Sequence, residues 1–529
     1  MKKIKLFLVL TVGALLFSCE DAYRIEQDGE FGEDVTFLSV KDMEDYLMET
    51  YDKVNIHDEI ALTSYFTDEV AIGNANAGQN VELYNFVLNN RDGLASGIWL
   101  THYTLINYAN RVLRGASRVT PDAGDPAEVA RYNSIIAQAK ALRAFGHFQL
   151  LTYFSEDIKN PASLGVILLD RVPATSEKLP RSTTGEVFAL IESDLAASEN
   201  VPVVLPTLPA AARPYHFINP NFFKAFRARM YAYKGEYGLA AQYANDLIAT
   251  SGVSLSVAWT GTPPPNGATF PAAFYGTSSP SPYRRMFNDQ EQGEVLFALG
   301  RPAGKGTIAD IFYTNRTNLS GAVLHDMSRS LFGLLGRSGD RNTDNSDIRG
   351  RAFLDPTTIA MVNPLDPAVD YIANDVLCID KYPGKTGADL TNDLKVFRIS
   401  EMYFIRAEAF ASTGNLNGAT NSVASVLKQI RDVRNYRNIA QPLPVYASPA
   451  EAWADILKER RLELCYEGHR YVDLRRLGPL ANVTIDRFSR DCNVATGCDL
   501  PLTDHKLKYL PIPQNEIIGN PTIKQNLGY

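Results

Sequence analysis

Two stretches of this chain repeat one spacing of small residues, Ala228, Gly235 and Ala240 in the first and Ala407, Gly414 and Ala419 in the second. Apolar residues recur around them at helical intervals. Phe223, Phe226, Met230 and Tyr233 precede the first glycine, and Ala244, Leu247 and Ile248 follow it. Met402, Ile405 and Ala409 precede the second, with Val423, Val426 and Ile430 after it. A glycine turn between small residues lets two helices approach closely, so each stretch is predicted to be a helix-turn-helix, with Ala419 already inside the second helix of its pair. Such a unit buries its apolar face only against neighbouring units, which points to a mainly α chain built from stacked helices.

Other helix starts agree. Residues 128–154 contain good helix formers from Ala137 to Phe145 and no internal proline. Thr183 and Glu186 have capping-box spacing ahead of Val187, Leu190, Ile191 and Leu195. Ser448, Pro449 and Glu451 combine a capping serine, a first-turn proline and a first-turn acid. Prolines crowd residues 201–214 and 261–282, which read as loops. The repeat spacing itself resembles the tetratricopeptide pattern, so the predicted fold is a tetratricopeptide-like α-helical superhelix with large irregular loop insertions. Trp99 and Trp453 fall within helical stretches and are predicted to be core.

The first residues carry a different message. Lys2, Lys3 and Lys5 precede an apolar run from Leu6 to Phe17, too short to span a bilayer that needs about twenty apolar residues and suited to a cleaved leader. Leu16, Ser18 and Cys19 resemble a bacterial lipobox, in which Cys19 becomes the lipidated first residue of the mature chain, followed by acidic Glu20 and Asp21. The predicted division is a leader over 1–18, a helical region over 19–250, a loop-rich insertion over 251–285 and a second region over 286–529.

Composition narrows the function classes. Hydrophobic residues make up 45% and charged residues 21% of the chain, ordinary for a water-soluble body. Loss of Lys2, Lys3 and Lys5 takes the 52 basic residues to 49 against 60 acidic ones, a net of −11. That surface repels nucleic acid. Cys492 and Cys498 enclose a short loop and are candidates for a disulfide, whereas Cys378 and Cys465 sit in apolar contexts typical of buried free thiols.

Chemical motifs are weak. No G-x-S-x-G, H-E-x-x-H or zinc spacing occurs, and Gly384, Lys385 and Thr386 lack the first glycine of a phosphate loop, which Ile379 replaces. Asp340, Asn342, Asp344 and Asp347 imitate a calcium loop, but Asn345 stands where the turn glycine belongs and Arg351 where the closing glutamate belongs. No metal and no cofactor are predicted. Glu459 and Glu463 lie one helical turn apart, with Arg460, Arg461 and Arg470 as candidate countercharges, and read as salt-bridged scaffolding rather than as a catalytic pair.

An ordered set of landmarks then accumulates. It includes Tyr65 to Glu69; Trp99, Tyr103, Ile106, Ala109 and Asn110; the Ala139, Ala141, Leu142, Arg143, Ala144, Phe145 helix; Pro180 to Phe188; and Arg398, Glu401, Ile405, Ala407, Glu408 and Ala409. The sharpest come last: Glu459, Arg460, Glu463 and Leu464, then Glu467, Gly468, Arg470, Asp473, Leu474 and Arg476, and finally Tyr509 to Pro513 with Asn520, Pro521 and the segment 525–529. With the lipobox, this set resembles the SusD/RagB outer-membrane lipoproteins. Leu527 replaces a usual proline, and Gly165 to Leu168 replaces a usual glycine-valine-proline-leucine run. Residues 48–100 and 252–345 match least.

The resemblance implies a non-catalytic, lipid-anchored outer-membrane protein exposed at the cell surface. It would capture oligomeric nutrient, with glycan the favoured class, and close over a SusC-type TonB-dependent transporter. An oligopeptide-binding member of the same system and a catalytic glycan-degrading lipoprotein are the alternatives. Sugar rings lay C–H faces on aromatics while their hydroxyls bond amides and carboxylates, and long aperiodic loops are where such sites concentrate. Candidate ligand residues are therefore Asp68, Asn74, Asn76 and Tyr84 in one segment and Trp259, Phe274, Tyr275 and Tyr283 in another.

Overall fold

A computed structural model describes residues 36–206, 212–265, 270–302, 306–314, 322–336, 346–358, 364–366, 368, 376–385, 387–492 and 498–529. The leader, Cys19, and the calcium-like Asp340, Asn342 and Asp344 lie outside the described residues.

Eleven long helices carry the described chain. They are α1 (Val40–Asp52), α2 (His57–Phe66), α3 (Gly93–Ala116), α4 (Pro126–Phe154), α5 (Thr184–Ala196), α6 (Pro220–Lys234), α7 (Tyr237–Thr250), α8 (Ile399–Ser412), α9 (Val423–Arg434), α10 (Pro449–Leu464) and α11 (Arg470–Ala481). Packing follows the chain: α3 lies on α4, α4 on α5, α6 on α7, α8 on α9 and α10 on α11. The two repeat copies meet directly where α7 packs on α8. One contiguous apolar core joins them, from Phe37 to Ile523.

Local chemistry sets the helix starts. Asp125 caps α4 by accepting from the Ala127 and Glu128 amides, with Pro126 in the first turn. Thr183 and Glu186 make the expected reciprocal box on α5. Ser448 accepts from the Glu451 amide, while the Glu451 carboxylate accepts from Ala447 N–H instead of returning to the cap. From Ser134 to Phe154, α4 is buried almost all round, as befits a central helix.

The two copies differ at their turns. In the first, Gly235 takes a left-handed φ of 79° and only it and Glu236 separate α6 from α7, which brings Ala228 and Ala240 into full burial. In the second, Gly414 is also left-handed, at 77°, but the connection runs from 413 to 422 and α9 starts only at Val423, capped by Ser422. Ala419 is thus an exposed loop residue, not the helical residue its spacing predicts. A serine capping box outcompetes the repeat register.

Two small antiparallel ladders brace the helices. β1 (Val70–Ile72) pairs with β3 (His325–Met327), and β2 (Val295–Leu299) pairs with β4 (Leu394–Arg398) across an irregular register. The described residues of segment 261–282 are mostly loop, with a helical turn at Ala272–Tyr275. Trp99 and Trp453 are core residues, Cys378 and Cys465 are buried free thiols, and Cys492 is bonded to Cys498. Among the described residues no helix is long and apolar enough to cross a membrane.

Candidate ligand-binding surface

The charged block ties α8, α9, α10 and α11 together. Glu459 pairs with Arg349 and Arg431, both at 2.7 Å. Glu463 receives Arg434 and Arg398, each at 2.9 Å, and the Tyr283 hydroxyl at 3.1 Å. Glu467 pairs with Arg398 at 2.8 Å and Lys381 at 2.6 Å. Burial alone would raise these carboxyls, but the neighbouring cations reverse the sign and hold all three below the usual carboxylate range. The countercharges are not the ones nearby in sequence. Arg460 goes to Asp473 and Glu408, and Arg470 and Arg461 go to Asp68.

That last contact relocates a candidate ligand residue. Asp68 is fully buried, with Arg470 donating to both carboxylate oxygens at 2.8 Å and the Asp486 amide donating at 2.8 Å. Burial opposes its ionisation, yet Arg461 and Arg470 hold its carboxyl well below the ordinary range. These buried partners make Asp68 a tie between α11 and the β1 segment. Asn76 is equally internal: its amide donates to the Gln79 and Leu324 carbonyls and its oxygen accepts from Gly78 N–H. Tyr84 is buried beneath Arg487, 3.9 Å from the ring centre, and donates to the Asp491 carbonyl. Of this group only Asn74 is exposed.

The aromatic group behaves similarly. Trp259 stacks on Phe274 at 5.9 Å, Phe270 meets both edge-on, and Tyr436 closes the cluster 5.0 Å from Phe270. Trp259 and Phe274 are buried, and the indole N–H donates to the Thr262 carbonyl. Tyr283 is buried between Arg434, at 4.2 Å, and Glu463. Trp259, Phe274 and Tyr283 therefore pin the loop-rich segment to the body. Tyr275, half-buried at the edge, presents the remaining partly open ring.

A concave site with sugar-like chemistry lies elsewhere. Pro214, Tyr215, Asn219, Asn221, Gln292 and Leu296 line a cavity of about 450 Å³ between the start of α6 and β2. Asn219 makes the geometry: its oxygen caps α6 through the Asn221 and Phe222 amides, and its amide reaches the Phe217 and Leu296 carbonyls. Tyr215 is half-buried on a tight turn, its ring edge-on to His216 at 4.8 Å. His216 faces Asp393 at 3.2 Å and fits because position 300 is glycine, where a Cβ would fall 2.7 Å from Nδ1. Burial pushes the Tyr215 hydroxyl up to about 12, leaving it a neutral donor. The Gln292 amide donates to the Val295 carbonyl at 2.9 Å, which fixes the side chain on the wall. A rigid phenol beside amide groups in a space of this size suits a small polar ligand. Sequence reading passed over Tyr215 because it sits in a proline-rich loop without periodicity.

Two family models match the chain: the SusD family over residues 379–529, and a family described as starch-binding and associating with the outer membrane over residues 27–212. The chain belongs to the SusD/RagB family. SusD-like protein P2 of Formosa agariphila is 22% identical over 99% of both chains. The crystal structure of a SusD superfamily protein from Bacteroides thetaiotaomicron superposes with a TM-score of 0.67 at 22% identity, covering 92% of this chain and all of the other. A SusD superfamily protein from Bacteroides vulgatus gives 0.65 at 21%, covering 93% of this chain and all of the other. The charged residues from Glu459 to Arg476 among the SusD/RagB landmarks are buried ion-pair members of the frame.

Proposed function

We propose that this protein is a surface lipoprotein, anchored through Cys19, that captures oligomeric glycan and delivers it to a SusC-type TonB-dependent transporter without chemical turnover. The observation carrying the ligand class is the Tyr215 cavity, where a rigid, half-buried ring stands beside amide groups on a wall held by Asn219. Membership of the SusD/RagB family supports the transport context. The paired state of Glu459, Glu463 and Glu467 supports binding over hydrolysis, because general acid–base work needs carboxyls with separated pKa values facing substrate.

Titration calorimetry with maltoheptaose and laminarihexaose tests this reading. Tyr215→Ala is expected to weaken binding by about 1–3 kcal/mol with little change in melting temperature, the pattern of an aromatic anchor. Failure of the wild-type chain to bind any oligosaccharide, neutral or acidic, or losses that simply track stability, overturns it. For the transporter, extraction in mild detergent is expected to recover a complex with a large β-barrel; migration alone, with the barrel present, counts against delivery.

A further inference from the structure

The long connection of the second helix pair opens a second cavity, of about 610 Å³, walled by α8, the 413–422 loop and α9. Its charge balance is unusual for this chain. Most buried arginines here meet carboxylates, as Arg229 meets Glu401 at 2.7 Å, Arg476 meets Glu408 at 2.9 Å and Arg434 meets Glu294 at 2.6 Å, while Arg181 is satisfied by the Gly165, Phe154 and Lys524 carbonyls instead. Among the described residues Arg406 of α8 meets no carboxylate, and its side chain makes one hydrogen bond, from Nη2 to the Gln429 side-chain oxygen at 3.4 Å, long beside the roughly 2.7–2.9 Å of charge-assisted pairs. Its Nε is buried and unpartnered, and Tyr403 supports the guanidinium from below at 5.1 Å.

The rest of the wall does not compensate. Lys428 is matched by Asp432 at 2.5 Å, so one positive charge is left over. Thr420 and Asn421 are exposed and carry no side-chain hydrogen bond among the described residues, and Leu443 adds an apolar face. Burial lowers the Arg406 pKa, with Tyr403 alone opposing it, as expected where no carboxylate is near. Arg406 is half-buried with its Nε sealed off, so the Nη edge, held by the long Gln429 contact, is the part of the planar guanidinium that can meet a carboxylate.

We propose that this cavity is a recognition site for the carboxylate of an acidic sugar unit, Arg406 binding the acid and Thr420 and Asn421 the ring hydroxyls. This inference rests on the glycan reading and narrows its ligand class to chains that contain uronate. A single uncompensated cation among neutral hydroxyl and amide groups matches a ring with one carboxylate and several hydroxyls.

The test is calorimetric titration of the full chain with trigalacturonate, its methyl ester and triglutamate, alongside maltoheptaose and laminarihexaose. Trigalacturonate is expected to bind at least tenfold more tightly than its ester. Arg406→Gln should shrink that ratio to within about twofold. Asn421→Asp, at an exposed loop position, should do the same by repulsion without touching the frame, which keeps the test valid if Arg406→Gln lowers stability. Equal binding of acid and ester, a preference that survives both variants, or capture of triglutamate in place of trigalacturonate overturns the proposal. If maltoheptaose or laminarihexaose still binds in those cases, only the acidic site falls; if no saccharide binds, the glycan reading falls with it.

Discussion

Arg434 of α9 grips Glu463 of α10 with two parallel contacts, Nε to Oε2 at 2.9 Å and Nη2 to Oε1 at 3.0 Å, both side chains sealed from solvent. Removing one member of such a pair leaves a buried charge without its partner, which costs about 3–5 kcal/mol. Arg434→Met is expected to lower the unfolding free energy by that order, read as a lower urea midpoint. The double variant with Glu463→Leu should cost less than the two singles added, because both changes break the same contact, although Glu463 also holds Arg398 and Arg434 also holds Glu294. Additive losses would show that the two side chains act independently.

Glu69 supplies a pH dependence of unusual sign. Its carboxyl is fully buried, accepts from Tyr466 N–H at 3.1 Å and Ser64 O–H at 3.0 Å, and is pushed by burial from 4.5 up to about 7. The folded state therefore holds the proton more tightly than the unfolded one. The resulting stabilisation is complete below pH 4.5 and is lost as pH rises through about 7. Glu69→Gln, which stays neutral, should gain on wild type over that window by an order of 1–3 kcal/mol. Melting curves at pH 5 and pH 8 check it; an unchanged difference between the two proteins would mean that Glu69 is ionised throughout.

Phe274 and Tyr275 are neighbours with opposite expected behaviour. Phe274 is fully buried against Trp259 and Phe270, so Phe274→Ala should cost about 3–5 kcal/mol of stability. Tyr275 is half-buried and meets Phe274 edge-on at 4.9 Å. Tyr275→Ala should leave the melting temperature within a few degrees, and any loss of oligosaccharide affinity then marks a second contact point. A large drop in melting temperature for Tyr275→Ala would assign it to packing.

Cys19→Ala tests the anchor. Acyl chains on Cys19 would supply the membrane affinity, and the described body begins only at residue 36. The variant is expected to fold normally and to appear in the soluble fraction. Co-sedimentation with outer membranes from cells lacking the transporter would refute lipidation as the attachment.

By itself the sequence determined the helix starts at Thr183 and Ser448, the Gly235 turn and the family. Those features depend on residues a few positions apart: Thr183 with Glu186, Ser448 with Pro449, Gly235 with the turn it closes. It also marked Trp99 and Trp453 as core. Only the tertiary structure decided which polar and aromatic residues are available to a ligand, because availability depends on partners far away along the chain. Asp68 is consumed by Arg470, 402 residues on, and Tyr283 by Glu463, 180 residues on. In the same way Arg406 is conspicuous only once every neighbouring carboxylate has been assigned to another cation, and Tyr215 only once Asn219 has joined α6 to β2.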